Sequence, residues 1–575
     1  MSADRNGGAG APVTPGPAPA PGPSPAWWRR AVVYQVYIRS FADANGDGIG
    51  DIAGIRSRLG YLRDLGVDAL WVNPWYPSPM VDGGYDVADY RAIDPRFGTL
   101  DDARRLIEEA HDHGLRVLGD IVPNHTSAEH RWFREALASA PGSAARDRYV
   151  FRDGHGARGE EPPNNWPSVF GGRAWTRAAS PDDGAGQWYL HLFDPGQPDL
   201  NWQNDEVRAE FEAILRFWFD LGLDGFRIDV AHGLVKNVAL PDLATGADPW
   251  TPAADHPFWG QDGTHDVYRG WRKIAEAYGG ERVFIGEIGP LGPDGPARLA
   301  RYLRPDELHQ AFNFDFLRKP WDANELRSVI DATLAPLAEV GAPATWVLSN
   351  HDVVRHATRY GRAYSGLETW EPWVERQPAD RALGTRRARA AALLLLALPG
   401  AAYVYQGEEL GLWEVEDLPD ELLQDPTWER SGHQSRGRDG CRVPVPWSGS
   451  APPLGFGPPG STPWLPQPAA WASMSVEAQA GVAGSTLELY RAALRVRRDH
   501  AGLAGDDLRW LPSPAGTLLF ERGDGFRCAL NLSDAPWELP AVATILLASA
   551  TPWTGVLAPD TAAWYVPRRP GTRRC

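Results

Sequence analysis

Short apolar runs alternate along much of the chain with amphipathic segments, whose apolar positions recur at the spacing of one helix face. Up to residue 122 this alternation predicts strands at 31–38, 67–73 and 115–122, separated by helices at 56–65 and 101–113. Gly66 and Gly114 directly follow the two helices, as expected for residues that end a helix. Strands and helices in this order predict β-α units, whose strands form a parallel sheet.

The alternation stops after His125 and resumes near residue 205. The stretch between, 126–201, is rich in Gly, Pro, Arg and Trp and has short strand-like pieces such as 188–193, so we expect an inserted subdomain. Beyond it the pattern predicts a helix at 205–221 and further strands at 223–230, 283–288, 312–316, 345–348 and 401–405. Eight such strands predict a closed (β/α)8 barrel of the TIM type rather than an open sheet.

The two ends of the chain differ from the barrel segment. Residues 1–26 are mostly Pro, Ala and Gly and are expected to form a disordered tail. After a last helix at 485–498, antiparallel strands are predicted at 517–521, 527–532 and 543–547. The predicted fold class is therefore α/β: a (β/α)8 TIM barrel with a subdomain inserted after strand 3 and a C-terminal antiparallel β domain. The predicted limits are 27–125 and 202–500 for the barrel, 126–201 for the subdomain and 501–575 for the C-terminal domain.

Charge and cysteine content narrow the classes of partner. The formal net charge is −17, which argues against binding to nucleic acid or to an acidic membrane surface. The sequence has no run of about 18 apolar residues, so no membrane-spanning helix is predicted. Three cysteines, Cys441, Cys528 and Cys575, do not make a disulfide framework and fit a reducing, cytoplasmic location. The 26 Trp residues suit the binding of sugar rings, which stack on aromatic side chains.

One loop after the first strand carries oxygen ligands in a pattern that can surround a hard cation. Its candidate ligands are the side chains of Asp43, Asn45, Asp47 and Asp51 and the backbone carbonyl of Ile49. The loop begins like an EF-hand loop, but Gly54 stands where that loop needs a bidentate Glu. The pattern therefore favours a structural Ca²⁺ or Mg²⁺ site over a calcium sensor. The alternative is a series of Asx turns that bind no metal.

Polar residues stand at the carboxyl ends of several predicted barrel strands. Arg227 and Asp229 interrupt an apolar strand and, being two residues apart, lie on the same face. Such a buried pair is either a structural ion pair or part of a functional site. The other strand ends carry Asp120, Asn124 and His125, then Glu287, and then Asn350, His351 and Asp352. Because these ends meet at one face of a barrel, we expect one site with several carboxylates, as glycoside hydrolysis requires.

Several of these stretches match a known family, in the order in which they occur. The main motifs are Asp120-Ile-Val-Pro-Asn-His125, Gly225-Phe-Arg-Ile-Asp229, Gly286-Glu287 and Asn350-His351-Asp352. On these motifs the chain from about Trp27 to its C-terminus resembles the α-amylase superfamily, glycoside hydrolase family 13. Gln197-Pro-Asp-Leu-Asn201 resembles the marker of the oligo-1,6-glucosidase and α-glucosidase group within that family.

The resemblance implies a role for each matching residue. Asp229 would be the nucleophile that forms a glycosyl-enzyme, Glu287 the general acid and then base, and Asp352 a carboxylate that holds ring hydroxyls. For such a retaining pair, the carboxyls of Asp229 and Glu287 should lie about 5–5.5 Å apart. The residues implied to bind substrate are Asp82, Tyr85, His125, Arg227, His351 and Arg442. No cofactor is implied for the chemistry, and the 43–51 loop resembles the metal loop of the family. Arg438 and Asp439 are interpreted as an ion pair beside Arg442.

The function implied is that of a retaining, exo-acting α-glucosidase that removes terminal glucose from short α-linked gluco-oligosaccharides, as a monomer or weak homo-oligomer. Two alternatives stay open: a glucosyl transferase or isomerase related to those acting on sucrose or trehalose, and a non-catalytic protein of the same fold. Val230, after the presumed nucleophile, resembles the pattern that tolerates α-1,6 bonds, whereas residues 231–233 differ from it. The preference for α-1,4 or α-1,6 bonds and the substrate chain length therefore stay open.

Overall fold

The computed structural model describes residues 26–178, 186–244, 246, 256–279, 281–289, 294–367, 378–540 and 543–567. The predicted disordered tail lies outside this part of the chain except for Ala26, and Cys575 also lies outside it. Cys441 and Cys528 are buried and free. Within the described ranges, no helix combines the length and the apolar content needed to cross a bilayer.

The strands and helices are numbered in chain order. The strands are β1 (Val32–Val36), β2 (Ala69–Val72), β3 (Arg116–Ile121), β4 (Phe151–Asp153), β5 (Trp175–Arg177), β6 (Gln187–Leu190), β7 (Gly225–Ile228), β8 (Val283–Gly286), β9 (Gln310–Ala311), β10 (Thr345–Val347), β11 (Ala401–Tyr405), β12 (Arg509–Trp510), β13 (Thr517–Arg522), β14 (Phe526–Asn531), β15 (Trp537–Glu538), β16 (Ala543–Ala548), β17 (Val556–Leu557) and β18 (Thr561–Pro567). The α-helices are α1 (Ile52–Ser57), α2 (Leu59–Leu65), α3 (Leu100–Asp112), α4 (Arg131–Ala138), α5 (Ala144–Asp147), α6 (Asp205–Asp220), α7 (Gly263–Ala277), α8 (Gly295–Tyr302), α9 (Phe314–Arg318), α10 (Ala323–Val340), α11 (His356–Arg359), α12 (Arg381–Ala397), α13 (Pro426–Arg430), α14 (Val476–Gln479) and α15 (Thr486–Asp499).

Eight parallel strands form the central sheet, in the order β10-β11-β1-β2-β3-β7-β8-β9. The two outer strands of this order meet through the Asn313 amide, which donates to the Thr345 carbonyl at 3.1 Å and so brings the sheet close to closure. Strands such as β1 and β7 are buried along their whole length, as expected for a parallel sheet covered by helices. The sheet confirms the predicted barrel.

The predicted strand at 312–316 is wrong. The sixth barrel strand is β9, which ends at Ala311, and residues from Phe314 onward form the helix α9. Asn313 begins that helix, because its side chain accepts a hydrogen bond from the Phe316 amide. The alternating apolar residues of this stretch matched the period of a strand, but a helix-capping side chain decided the local structure. The predicted helix at 56–65 is also divided, at Arg58, into α1 and α2.

Two smaller β regions complete the predicted α/β fold class. Between β3 and β7, the strands β4, β6 and β5 form an antiparallel sheet, and the predicted strand at 188–193 is observed as β6. At the C-terminal end, β12, β13, β14, β18 and β16 form a second antiparallel sheet. Trp564 of this sheet donates through Nε1 to the carbonyl of Leu393 in α12, which joins the sheet to the barrel. The exact domain limits stay predictions.

Asp224 joins several elements at the amino-terminal ends of the barrel strands. It is 1% exposed and precedes β7. Its carboxylate contacts His111 Nε2 at 2.7 Å and accepts hydrogen bonds from Arg116 Nη1 at 3.1 Å, the Val117 amide at 2.9 Å and Arg282 Nη1 at 3.3 Å. Burial opposes its ionisation, but the hydrogen bond from His111 and the other contacts lower the pKa of Asp224 below its ordinary value. Asp224 therefore contributes to stability only when it is ionised.

We expect Asp224→Asn to lower the free energy of unfolding at neutral pH by about 1–3 kcal/mol, because the basic partners lose their counter-charge. The contribution is present above the ordinary carboxylate pKa of about 3.9 and is lost as pH falls through the lowered pKa of the folded state. Denaturant unfolding at pH 7 and pH 3 measures this difference, which should shrink at pH 3. Asp101→Asn, at an exposed carboxylate, is the matched control. A difference that is the same at both pH values would contradict the prediction.

Candidate active site

The Arg227 guanidinium lies between three carboxyl groups at the carboxyl ends of the barrel strands. Nη1 donates to Asp229 Oδ1 at 2.7 Å and to Asp120 Oδ1 at 3.0 Å. Nη2 lies 2.7 Å from Glu287 Oε2. Arg227 and Asp120 are each 1% exposed, so these charges meet out of contact with bulk water. One guanidinium thus holds Asp229 and Glu287, the two residues predicted to perform the chemistry.

The strand register brings these side chains together. Asp120 in β3 is paired with Arg227 in β7, and Ile228 is paired with the glycine that precedes Glu287. Beyond the strands, the Asp229 amide donates to the Ile121 carbonyl, and the Glu287 amide donates to the Ile228 carbonyl, both at 2.9 Å. The ladder therefore continues for one residue past each strand end, which fixes the backbone beneath both carboxyl groups.

Val230 has a left-handed backbone, with φ at 45°. This conformation is strained for a β-branched residue, at a cost of about 1–3 kcal/mol. It turns the Val230 amide toward Glu287, where it donates to Oε2 at 3.1 Å. The residue after Asp229 therefore helps to hold Glu287. Both carboxyl groups contact one guanidinium, and this is compatible with the short predicted separation of the pair.

Two of the three carboxyl groups, those of Asp229 and Asp120, are harder to ionise than a carboxyl in water. Burial raises the pKa of Asp229 well above its ordinary value, against the opposing charge of Arg227, and the charges of Glu287 and Asp120 raise it further. Burial likewise raises the pKa of Asp120 to about 6, although Arg227 lowers it. Asp229 and Asp120 therefore retain a proton more readily than an isolated carboxyl would.

Tyr85 and His351 form one wall of the site. The Tyr85 hydroxyl donates to Asp120 Oδ2 at 2.9 Å and accepts from Asn73 Nδ2 at 2.6 Å. Its ring stacks on His351, with the ring centroids 5.2 Å apart and an interplanar angle of 13°. Gln35 Nε2 donates to His351 Nδ1 at 2.7 Å, and burial lowers the pKa of His351 well below its ordinary value. Because Nδ1 accepts from Gln35, the neutral form of His351 carries its proton on Nε2.

A second charged group faces this wall and contains Asp352. Asp352 Oδ1 lies 3.0 Å from both Arg438 Nη1 and Arg442 Nη2, and Oδ2 lies 3.2 Å from His351 Nε2. Burial alone would raise the pKa of Asp352, but His351, Arg438 and Arg442 lower it below its ordinary range. Arg438 Nη2 also contacts Asp82 Oδ1 at 2.6 Å. Four predicted site residues, Asp82, His351, Asp352 and Arg442, thus meet in one network.

Arg438 is the functional candidate that the sequence did not single out. The predicted ion pair between Arg438 and Asp439 is wrong, because Asp439 Oδ2 instead accepts the backbone amides of Gln424 and Asp425. Arg438 contacts Asp82, Asp352 and Asp425. Asp82 and Arg438 are 356 residues apart in the chain, so no local pattern could reveal the contact. The only local signal was the second arginine in the short loop that also supplies Arg442.

The ninth predicted site residue, His125, lies where the inserted subdomain returns to the barrel. Its backbone forms an isolated bridge with Asp199, and its Nε2 lies 3.1 Å from both the Tyr85 carbonyl and Gln197 Nε2. Gln197 Nε2 also donates to Asp82 Oδ2 at 3.1 Å. Gln197, which the sequence marked only as part of a family motif, therefore connects His125 with the Asp82 end of the site.

The predicted metal loop has most of its side-chain oxygens turned toward its own backbone. Asp43 accepts from the amides of Gly46 and Gly48, Asn45 from that of Asp47, and Asp47 from that of Ile49, at 2.6–2.9 Å. These are the contacts of the Asx-turn alternative. Among the described residues, no group of three or more His, Cys, Asp or Glu side chains is arranged to hold a metal ion. A cation at this loop stays a prediction.

One observation nevertheless fits a cation at the loop. Asp43 and Asp51 are each 4% exposed, and neither has a salt bridge within the described part of the chain. Burial raises the pKa of Asp51, and the negative charge of Asp43 adds to this rise. A divalent cation between two such carboxylates would relieve their repulsion, and oxygen ligands suit Ca²⁺ or Mg²⁺.

Comparison with known proteins assigns the chain to a family. The model of the α-amylase catalytic domain matches residues 35–506. The chain belongs to the α-amylase family. A second family, described only as a domain of unknown function, matches residues 499–564, where the C-terminal sheet lies.

Two curated relatives are glucosidases by name. A probable α-glucosidase of Rhizobium meliloti (strain 1021) is 38% identical over 531 residues, which cover 89% of this chain and 91% of the relative. An oligo-1,6-glucosidase of Heyndrickxia coagulans is 34% identical over 509 residues, which cover 82% of this chain and 85% of the relative. The crystal structure of the α-glucosyl transfer enzyme XgtA superposes with a TM-score of 0.80 at 36% identity, covering 95% of this chain and all of that one. The family and these relatives identify the protein as a glycoside hydrolase of the oligo-1,6-glucosidase group, which sets aside the non-catalytic alternative.

If a cation binds the 43–51 loop, chelation should destabilise the protein. We expect EDTA to lower the unfolding temperature by a few degrees and Ca²⁺ to restore it, because a bound ion stabilises only the folded state. Thermal unfolding with and without added Ca²⁺ measures the effect, and Asp43→Asn should abolish it. Asp64→Asn, at an exposed carboxylate paired with Arg63, is the control. An unfolding temperature that does not respond to EDTA would leave the Asx turns as the whole account of the loop.

We expect Arg438→Gln to lower kcat/KM by about tenfold or more, because Asp82 and Asp352 lose a shared positive partner. Rates with a chromogenic α-glucoside at neutral pH measure the loss. Arg436→Gln, in the same loop and paired with Asp420, is the control. A kcat/KM for Arg438→Gln as high as that for Arg436→Gln would contradict the role of Arg438.

Proposed function

We propose that the protein is a retaining, exo-acting α-glucosidase that removes terminal glucose from short α-linked oligosaccharides. The observation that carries this proposal is the single Arg227 guanidinium, which contacts Asp229 and Glu287 through its two terminal nitrogens. Retention requires a nucleophile and an acid that are close to each other on opposite sides of the sugar bond. The relatives named as α-glucosidase and oligo-1,6-glucosidase support the choice of an α-linked glucose substrate.

In the proposed reaction, Asp229 attacks the anomeric carbon while the bond to the leaving oxygen breaks and Glu287 gives that oxygen its proton. The product is a glucosyl ester of Asp229. Glu287, now ionised, then takes a proton from water, and the resulting hydroxide attacks the anomeric carbon and releases Asp229. Glu287 is held at Oε2 by Arg227 and by the Val230 amide, so we assign the transferable proton to Oε1.

The second charged group supports exo cleavage. Arg438 contacts both Asp82 and Asp352. Arg442 contacts the same oxygen of Asp352 as Arg438 does. Such a network of carboxylates and guanidiniums, partly open to solvent, offers acceptors and donors for the hydroxyls at the non-reducing end of a glucose ring. We propose that it closes the pocket behind one sugar, so that cleavage releases single glucose units.

A second candidate function is transfer of the glucosyl group to a sugar instead of water. The similarity to an α-glucosyl transfer enzyme favours it, and the glucosyl ester of Asp229 would be common to both reactions. The two outcomes differ in which hydroxyl attacks the ester. Linkage preference, substrate chain length, oligomeric state and the cytoplasmic location stay predictions.

We expect Asp229→Asn to reduce the release of p-nitrophenol from p-nitrophenyl α-glucoside by at least about 10³-fold, because an amide cannot form the ester. The initial product from the wild-type protein should be the α-anomer of glucose, as read by NMR before mutarotation. Maltose, isomaltose, sucrose and trehalose should yield glucose, whereas new disaccharides as the main products would favour transfer. An initial β-anomer, or equal rates in the two proteins, would refute the retaining mechanism.

A further inference from the structure

Lys236 is a buried cation close to the site that the proposed reaction does not use. It lies seven residues after Asp229 and is 7% exposed. Its Nζ lies 2.7 Å from Asp199 Oδ2 and donates to Asn124 Oδ1 at 2.6 Å. Asp199 and Asn124 are 1% and 0% exposed. A buried ammonium of this kind is stable only when such partners are in place.

These contacts join three separate parts of the chain. Asn124 follows β3, and Asp199 belongs to the end of the inserted subdomain, where its Oδ1 accepts from the Leu192 amide at 2.8 Å. Lys236 comes from the segment that follows the proposed nucleophile, and its Nζ also lies 3.4 Å from the Leu234 carbonyl. The ammonium therefore connects the barrel, the subdomain and the segment after Asp229.

Lys236 and Asp199 together determine which way the Asn124 carboxamide faces. An ammonium can only donate hydrogen bonds and a carboxylate can only accept them. The Asn124 oxygen must therefore face Lys236 Nζ, and its nitrogen must face Asp199 Oδ2, to which it donates at 3.1 Å. Orientations of side-chain amides are assigned from their partners, and here both partners require the same one.

The oriented carboxamide in turn places the proton of His125. Asn124 Nδ2 lies 3.1 Å from His125 Nδ1, so this contact requires Nδ1 to accept, which places the proton of a neutral ring on Nε2. There it donates to the Tyr85 carbonyl at 3.1 Å. Burial lowers the pKa of His125, which keeps the ring neutral.

One contact would favour the other tautomer. Gln197 Nε2 also lies 3.1 Å from His125 Nε2, and Gln197 is oriented by the Asp194 amide, which donates to its Oε1 at 3.0 Å. A proton on His125 Nδ1 would satisfy Gln197, but it would oppose Asn124 Nδ2 and leave two acceptors, His125 Nε2 and the Tyr85 carbonyl, facing each other. Two contacts therefore favour the Nε2 proton and one opposes it.

We propose that Lys236 is a positioning residue: by orienting the Asn124 carboxamide, it holds the His125 proton on Nε2, where a hydroxyl of the bound sugar would share it with the Tyr85 carbonyl. Lys236 acts through Asn124 and not on the substrate. The proposal rests on the proposed function only in its last clause, because the position of the proton exists whether or not a sugar binds.

The position of the proton is tested by ¹⁵N NMR of protein labelled at the histidine ring nitrogens. The shifts of Nδ1 and Nε2 distinguish the two tautomers, and His125→Gln identifies the signals among those of the 14 histidines. We expect the Nε2–H tautomer in the wild-type protein. Asn124→Asp should invert it, because an ionised carboxylate can only accept, so that Nδ1 must carry the hydrogen and donate. Nδ1–H in the wild-type protein would overturn the proposal without any variant at Lys236.

The effect of Lys236 is tested with Lys236→Met and Lys236→Arg. Met removes one of the two groups that orient Asn124 and should raise the share of the Nδ1–H tautomer, whereas Arg keeps a donor and should restore Nε2–H. Lys319→Met is the matched control, because Lys319 also forms a 2.7 Å ion pair, with Glu325, but at the surface. A pure Nε2–H signal in folded Lys236→Met would overturn the proposal.

Kinetics with p-nitrophenyl α-glucoside then test the link to the sugar. We expect Lys236→Met to lower kcat/KM by about tenfold in the wild-type background. In a His125→Gln background the loss should be less than about threefold, because the residue through which Lys236 acts is already absent. Equal losses in both backgrounds would show a purely structural role and overturn that step. If the wild-type protein cleaves no α-glucoside, the proposed function fails, while the NMR result still decides the position of the proton.

Discussion

The site depends on one guanidinium that three carboxyl groups share, of which those of Asp120 and Asp229 are buried. Arg227, Asp120 and Asp229 are almost completely removed from water, and a charge buried in this way costs several kcal/mol unless it is paired. Arg227 pairs with all three carboxyl groups, including Glu287. Without it, the remaining charges would repel one another in a medium that screens them weakly. The arrangement that makes the two proposed reacting groups neighbours is thus also the one that makes their burial tolerable.

The neighbouring histidines show how charge at one point is converted into a proton position at another. Asp120 orders the Tyr85 hydroxyl, which accepts from Asn73 Nδ2. Asn73 Oδ1 in turn accepts from Gln35 Nε2, the nitrogen that faces His351 Nδ1. On the other side, a lysine and a carboxylate order the carboxamide that faces His125. Each series of hydrogen bonds starts from a group that can only donate or only accept. A neutral histidine, which has no fixed preference of its own, thereby becomes a donor in a known direction.

The barrel and the residues at its strand ends were predictable because they follow rules that act locally. Apolar runs followed by amphipathic segments require strands and helices, and parallel strands place their carboxyl ends at one face. The prediction for 312–316 was wrong because the alternating Phe residues fit a strand as well as a helix. The helix is decided by one side chain, the Asn313 cap that starts it. The contact of Arg438 with Asp82 was not predicted for a different reason, because it joins residues that only the closed barrel and its loops bring together. Which partner a charged residue takes is decided by the completed fold.

The charges around the site are unequal, and this inequality itself favours the proposed chemistry. Within the described part of the chain, the two connected networks contain six carboxyl groups, those of Asp82, Asp120, Asp229, Glu287, Asp352 and Asp425, and three guanidinium groups, those of Arg227, Arg438 and Arg442. Even with one proton retained, the pocket stays negative. Glycoside cleavage passes through a transition state with positive charge on the sugar ring, and preorganised negative charge stabilises that state more than the neutral substrate. A pocket with balanced charges would lose this difference. The excess of carboxylates over arginines therefore favours the proposed chemistry, and Arg227 lowers the cost of burying it.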